Sequence, residues 1–262
     1  MREISFEQSK QILVKTLESI DKCCRENNIE YSLCWGTMIG AIRHHGFIPW
    51  DDDVDLMMSR ENLNRFLKVY NDPEYAINTP QISENRANIN TKIYNKKTCV
   101  YFKNRSESLF GVWVSIFPYD NAPDENLKQW ERKRDFWLKF FHIKTQSTID
   151  QPFIRQVVKK AINFIFPFSS LWIYNRVENC LTAYNDQQTK RVCIWYGTPF
   201  MRFRYFPKEQ LDGVIDVDFE GIKTKIIKGY DDFLKMTYGD YMTFPPESER
   251  VPKHNYKAYY IE

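Results

Sequence analysis

Apolar positions along the chain recur with two periods, and the switches between them divide it into elements. Residues 6–28 carry Ile12, Leu13, Leu17, Ile20 and Cys24 at helical spacing behind a Ser5–Gln8 capping box, which predicts an amphipathic helix ended by Asn27–Asn28. "IEYSLCW" (29–35) reads as a strand with Gly36–Thr37 at its end, and "MIGAI" opens a short helix. A loop with Gly46 and Pro49 precedes a second strand at "VDLMM". Ser59 then caps a helix carrying Leu63, Phe66, Leu67 and Tyr70. Strands at 89–95 and 98–103 are expected to form a hairpin about Asn95–Lys96–Lys97, and "FGVWVSIFPYD" (110–120) reads as a strand ended by Pro118.

From about 124 to 186 the pattern is helical and rich in charge and aromatics. The tail from 205 mixes short strands, turns and one helix at 229–238 stopped by Gly239. Three parts are therefore expected: a compact α/β core over 1–123, an aromatic-rich helical region over 124–204, and a C-terminal segment over 205–262 that packs back on the core. The chain shows no internal repeat and no low-complexity linker.

Charge narrows the partners. A formal net charge of +3, with no long basic run, argues against nucleic acid. The six cysteines form no CxxC pair and no metal-ligand spacing with histidine, so they are expected to be reduced and buried. The N-terminal "MREISFEQSKQ" lacks the apolar run of a signal peptide, and a cytoplasmic setting follows as the default. The longest apolar stretch, "AINFIFPFSSLWIY" (161–174), is too short to span a bilayer. Preceded by Arg155, Lys159 and Lys160 and closed by Trp172 and Tyr174, it reads either as a buried helix–turn–helix or as a peripheral anchor at the inner face of a membrane.

The chemistry concentrates in "WGTMIGAIRHHGFIPWDDDVDLMM" (35–58), where Asp51, Asp52, Asp53 and Asp55 crowd in front of a buried strand. Like charges so close need positive charge among them. Alternation along a strand puts Asp53 and Asp55 on one face, and paired carboxylates suit Mg2+ or Mn2+. A solvated turn is the plain alternative for a bare D-x-D. Gly36 and Thr37 at a strand-to-helix junction fit a phosphate cradle, because backbone N–H groups at a helix N-terminus hold phosphate oxygens. With Arg43 nearby, these are the parts for metal-assisted transfer at phosphorus.

The stretch "YSLCWGTMIGAIRHHGFIPWDDDVDLMMSRENLNRFL" resembles the signature of the LicD family, which includes the catalytic regions of fukutin-type proteins. "TKIYNKKT", "IFPYD" and the tail "FEGIKTKIIKGYDDFLKMTYGDYMTFPPESERVPKH" resemble further blocks of that family. The resemblance covers roughly 10–120 and 205–255 and leaves the helical middle poorly matched. It implies an α/β (α+β) fold with a nucleotidyltransferase-like mixed sheet flanked by helices. It also implies a metal-dependent phosphotransferase that moves a phospho-alcohol from a CDP-activated donor, CDP-choline first and CDP-ribitol as another, to a hydroxyl of a glycan or lipid-linked glycan acceptor. Gly36 and Thr37 would then hold donor phosphate, Asp53 and Asp55 would bind metal, and Arg43 would pair with phosphate or the aspartates. Asp51 and Asp52 would fix the loop through Arg43, His44 or backbone N–H groups.

One position departs from the family pattern. Ser115 stands in "VSIFPYD" where the resemblance leads to an aspartate, and a serine hydroxyl is too weakly acidic to serve as a base near neutrality. A one-metal enzyme, an enzyme with another base, and a catalytically weak nucleotide- or glycan-binding partner of an active paralogue all stay open. His254 in "RVPKHNY" is a candidate acid–base or phosphate-binding group or an exposed tail histidine. Arg250 is a candidate phosphate contact, and Lys92 either neutralises donor phosphate or is an exposed strand lysine. Trp35, Trp50, Tyr94 and Trp113 are either core or the walls of an aromatic cage for a quaternary ammonium.

Overall fold

A computed structural model of the protein describes residues 1–82, 90–102, 110–145, 154, 156–157, 159–160, 168–195, 205–252, 254 and 256–261. In chain order its elements are β1 (Arg2–Glu3), α1 (Phe6–Glu26), β2 (Ser32–Leu33), α2 (Trp35–His44), β3 (Asp55–Ser59), α3 (Arg60–Val69), β4 (Tyr75–Asn78), β5 (Thr91–Asn95), β6 (Thr98–Phe102) and β7 (Trp113–Ala122). There follow α4 (Leu127–Thr145), α5 (Ser170–Thr182), β8 (Arg191–Ile194), β9 (Tyr205–Pro207), β10 (Val214–Phe219), β11 (Ile222–Ile227), α6 (Tyr230–Tyr238) and β12 (Tyr256–Tyr260). The class is mixed α and β, as expected. The chain divides into two units: Met1–Asn78 with Thr91–Tyr119 and Phe206–Glu262, and Thr79–Asn90 with Asp120–Tyr205.

The first unit is built on a mixed sheet with strand order β2-β3-β7-β5-β4. β3 and β7 run parallel, and the other pairs on this path are antiparallel. β3 is buried from Asp55 to Met58, so its apolar residues Leu56, Met57 and Met58 are needed on both faces. A second sheet, β1-β12-β6, places the last strand between the first and the sixth. Helix α1 forms for the reasons read from the sequence. Ser5 and Gln8 exchange both capping-box bonds, and Ile12, Leu13, Leu17, Ile20 and Cys24 are buried along one stripe. Ser59 caps α3 through the Asn62 N–H, and Gly239 ends α6 at φ 73°. Five of the six cysteines are buried, and all six are free.

Three expectations are corrected. The strand at 29–35 shrinks to β2, because Trp35 adopts φ 50° and turns the chain into α2 at once; its ring lies among Phe117, Phe206 and Phe233. Gly36 and Thr37 thus belong to the first turn of a helix. The strands on either side of Lys96–Lys97 form no hairpin with each other: β5 pairs with β4 and β7, and β6 with β12. Segment 110–112 takes their bonds instead, since the Asn95 N–H donates to the Val112 carbonyl and the Val100 N–H to that of Phe110. Gly111 permits this, because a Cβ there would collide with the Asn95 carbonyl. Pro118 does not end β7, which continues to Ala122. The pairing of β5 with β7 stops at Ile116, so a residue without an N–H is tolerated two positions on.

In the second unit α4 and α5 pack around Trp130, Leu138, Phe141, Ile173, Tyr174, Val177 and Leu181, with Cys193 and Trp195 behind them. Arg134 is fully buried there, its guanidinium bonded to Tyr205 and Asp135 and lying over the Trp130 ring at 4.8 Å. No helix among the described residues is long and apolar enough to cross a membrane. Residues 161–167 of the apolar stretch lie outside the described residues.

The loop that leads from α2 to the aspartates is seated by contact with Gly40. A Cβ at Gly40 would collide with the Gly46 carbonyl and lie 3.3 Å from the Ile48 nitrogen. Gly40→Ala is therefore expected to lower stability by about 1–3 kcal/mol, the usual range for overpacking a filled site. Urea unfolding checks this, and an unchanged midpoint would show that the loop yields freely.

Candidate active site

Three adjacent strands set one rung of side chains. Asp55 at the start of β3 lies opposite Ser115 on β7, and Ser115 lies opposite Lys92 on β5. Cross-strand partners share a face, so the three groups meet, and all three are buried. Ser115 sits at the centre: its Oγ accepts from Lys92 Nζ at 3.4 Å and from the Trp113 indole N–H at 3.2 Å, while its hydroxyl bonds to Asp55. The Lys92 ammonium rests 4.3 Å from the Trp113 ring centroid, a cation–π contact between two buried side chains. The Asp55 N–H donates to Thr37 Oγ1 at 2.9 Å, tying the rung to α2.

Burial sets the electrostatics of this rung. It holds the Asp55 carboxyl well above the usual carboxylate range, and the neighbouring Asp53 pushes it further up, while Lys92 and the Ser115 hydroxyl oppose the shift. Asp53 is likewise raised, first by burial; His254 and Lys92 pull it back. Burial also lowers Lys92 to about 8 against the pull of Asp55 and Asp53.

A second cation comes from the far end of the chain. Asp52 grips His254 twice: Oδ2 accepts the His254 backbone N–H at 3.1 Å, and Oδ1 lies 2.9 Å from Nδ1. The same Nδ1 is 3.7 Å from Asp53 Oδ2. The hydrogen bond to Asp52 raises the His254 pKa, and burial works against it. Tyr256 adds a bond from its hydroxyl to the Asp52 carbonyl at 3.4 Å, and Trp113 meets the imidazole edge-on at 6.2 Å.

The donor set fits a divalent cation. Among the described residues, one ligand atom each from Asp52, Asp53 and His254 lie within 4.8 Å of one another. A dication would return the raised Asp53 carboxyl to its charged form, and carboxylate oxygens are the ligands that suit Mg2+ or Mn2+. Asp55 stands on the rung beside this cluster, and the Asp53 charge acts on it.

The other candidates are placed less uniformly. Gly36 and Thr37 occupy the first turn of α2, where N–H groups have no partner within the helix. A Cβ at Gly36 would lie 2.9 Å from Asp51 Oδ2, so an anion already stands near that turn. Arg43 does not pair with the aspartates. Its guanidinium donates to the Tyr241 carbonyl at 2.7 Å, the Thr243 carbonyl at 3.4 Å and His44 Nε2 at 3.0 Å, and lies over Phe244. His44 is thereby bound to Arg43 and packed on Phe244, and does not hold the aspartate loop. Trp50 also meets Phe244, and Arg250 lies over both rings at 5.7 and 5.5 Å. Trp35 and Trp50 enter different ring clusters, so these tryptophans do not form one cage.

Sequence reasoning missed the Asp52–His254 bond and the part of Tyr256. Partners 202 and 204 positions apart carry no local signal; the alternation in "YKAYY" was the trace available for β12.

Comparison with known proteins gives the family. Residues 28–171 match the family described as LicD/FKTN/FKRP, nucleotidyltransferase domain. The chain is 28% identical over 274 residues to the lipopolysaccharide cholinephosphotransferase LicD of Haemophilus influenzae, an alignment covering 100% of each chain. It is 25% identical over 184 residues to an uncharacterized protein of Rickettsia prowazekii, spanning 59% of this chain and 66% of that one.

Lys92→Met removes the buried cation and leaves Asp53 and Asp55 facing each other. The expected loss is about 3 kcal/mol, at the low end for uncovering a buried charge, with part of it restored by added Mn2+. Denaturant melts with Mn2+ or EDTA check both halves; a variant as stable as the parent in EDTA would show that Lys92 is not the counter-charge.

Proposed function

The chain belongs to the LicD family, and we propose that it is a metal-dependent transferase that moves a phospho-alcohol from a CDP-activated donor to a hydroxyl of a cell-surface glycan precursor. Phosphocholine from CDP-choline is the first choice of cargo, in keeping with the name of its full-length Haemophilus relative. The observation that carries this reading is the convergence of Asp52, Asp53 and Asp55 with Lys92 and His254 beside the first turn of α2.

Asp53, which stands between the Asp52–His254 pair and the Asp55 rung, would hold Mg2+ or Mn2+ together with Asp55 while Asp52 stays on His254, and the cation would supply charge neutralisation at the donor diphosphate. The free N–H groups at Gly36 and Thr37 receive phosphate oxygens. Lys92 is a fixed positive charge whose position on β5 costs no reorganisation during transfer. The acceptor oxygen attacks the β-phosphorus in line. A bond from phosphorus to the acceptor forms as the bond to the CMP oxygen breaks, and CMP leaves. His254, with Nδ1 engaged by Asp52, receives the acceptor's hydroxyl proton on Nε2 in its neutral form, which becomes populated as the pH rises through its raised pKa. Arg250 and Trp50 lie beside one another and serve the donor's charged or aromatic parts. Arg43 is a positioning residue, since its bonds hold 241–243.

Thermal melts with CDP-choline, CDP-ribitol, CDP-glycerol, CTP and UDP-sugars, each with Mg2+, Mn2+ or EDTA, test the donor. A ligand bound to the native state alone must raise the melting temperature. One CDP-alcohol is expected to do so, only with metal. Asp53→Asn should abolish both that shift and turnover while leaving the unliganded melting temperature within a few degrees. Unchanged turnover in Asp53→Asn would remove the central assignment.

Ser115 favours a second reading, a nucleotide- or glycan-binding partner with weak turnover, because the rung carries a hydroxyl and an ammonium in place of a further carboxylate. Ser115→Asp separates the two. A gain of turnover supports the partner reading for the native chain, and a loss supports an enzyme adapted to serine.

A further inference from the structure

Helices α4 and α5 carry more exposed cations than acids, and their acids are engaged by partners. Glu131 accepts from the Tyr205 hydroxyl at 2.7 Å, and the half-exposed Asp135 is neutralised by the buried Arg134 at 2.8 Å. The single acid of α5, Glu178, accepts from the Tyr174 hydroxyl at 3.1 Å. The cations Lys128, Arg132, Lys133 and Lys139 of α4 and Arg176 of α5 are exposed.

Apolar groups stand among those cations. Arg132, Lys133, Lys139 and Phe140 lie three or four residues from Phe136, so all share its side of the helix. Phe136 is 52% exposed, and Ile143, two turns further on, is 36% exposed. The rings continue without a break from Phe140 through Phe136, Trp137 and Trp172 to Phe168, with centroid separations between 4.2 and 5.6 Å. Phe168 is 45% exposed at the far end, and Arg176 covers Trp172 at 4.6 Å. The buried stripe of α4 is Trp130, Arg134, Leu138 and Phe141; Trp137, Phe140 and Trp172 pack on that core from outside, and Phe136 and Phe168 extend the ring row beyond it.

We propose that this ring-and-cation face of α4 and α5 docks on an anionic membrane surface, the aromatic rings entering the interfacial layer and Arg132, Lys133, Lys139 and Arg176 meeting lipid phosphates. Aromatic rings rest at the headgroup level, long basic side chains reach from apolar surroundings to the phosphates, and each such cation adds to attraction toward anionic lipid. A second copy of the chain is disfavoured as occupant, because its matching face would set five exposed cations against five, with the acids of α4 and α5 already engaged by Tyr205, Arg134 and Tyr174. The face includes Phe168 and Trp172 from the apolar stretch and adds α4, which its sequence pattern did not single out.

Co-sedimentation with vesicles tests the assignment. The full chain is expected to pellet with phosphatidylcholine vesicles containing phosphatidylglycerol at low salt, to be released by high salt, and to stay in solution with phosphatidylcholine alone. Arg132→Glu with Lys139→Glu, and separately Phe136→Glu with Phe168→Glu, should each lower partitioning at least about ten-fold. Both pairs are exposed, so circular dichroism and the melting temperature should match the parent. The proposal fails if the parent ignores anionic vesicles, or if neither pair changes binding. It fails too if gel filtration finds a concentration-dependent dimer that Phe136→Glu dissolves, which would assign the face to a second copy.

Discussion

Carboxylates withdrawn from water are the constraint around which the larger unit is arranged. Asp55 is buried at the head of β3 with Asp53 two residues before it, and neither charge is stable without nearby positive charge. Lys92 answers from β5 and His254 from the approach to β12, so the groups come from parts of the chain far apart in sequence. The strand order β3-β7-β5 is what lets Lys92 reach, because β7 contributes only a small hydroxyl at the intervening position. A larger side chain at 115 would stand between ammonium and carboxylate. Trp113 completes the arrangement by offering a ring face to the ammonium, a surface that attracts a cation without adding another anion.

The legible parts of the fold were those with local causes. Ser5 with Gln8, Ser59 and Gly239 act within one helical turn, so α1, α3 and α6 could be bounded from their neighbours alone. Strand partners have no such signal. The hairpin expected at Asn95–Lys97 followed a sound local rule, but segment 110–112 occupies the bonds that rule assigns, and only the absence of a side chain at Gly111 allows it. Pro118 misled in the same way, since its cost depends on whether a neighbouring strand requires its N–H.

The site divides along the same line. Asp53 and Asp55 could be singled out by alternation into a strand, and Lys92 and Ser115 through the resemblance of their blocks to the LicD family. Arg43 could not be placed by its nearness in sequence to the aspartates. It lies in the last turn of α2, and its planar fork closes on carbonyls of 241–243. The groups that face Asp52, Asp53 and Asp55 are therefore an ammonium and an imidazole, rather than the guanidinium that stands nearest in the chain.

β12 has a consequence for the order of events in the cell. It is the middle strand of its sheet, so β1 and β6 have no shared neighbour until Tyr256–Tyr260 arrive, and His254 travels just ahead of it. Synthesis delivers the aspartates, Lys92 and Ser115 first and the imidazole some 200 residues after the aspartate that grips it. At ribosomal speeds of about 5–20 residues per second, the nascent protein spends roughly 10–40 s with its acidic cluster only partly countered. The rung of Asp55, Ser115 and Lys92 and the Asp52–His254 bond are thus completed in separate steps, the first long before the second.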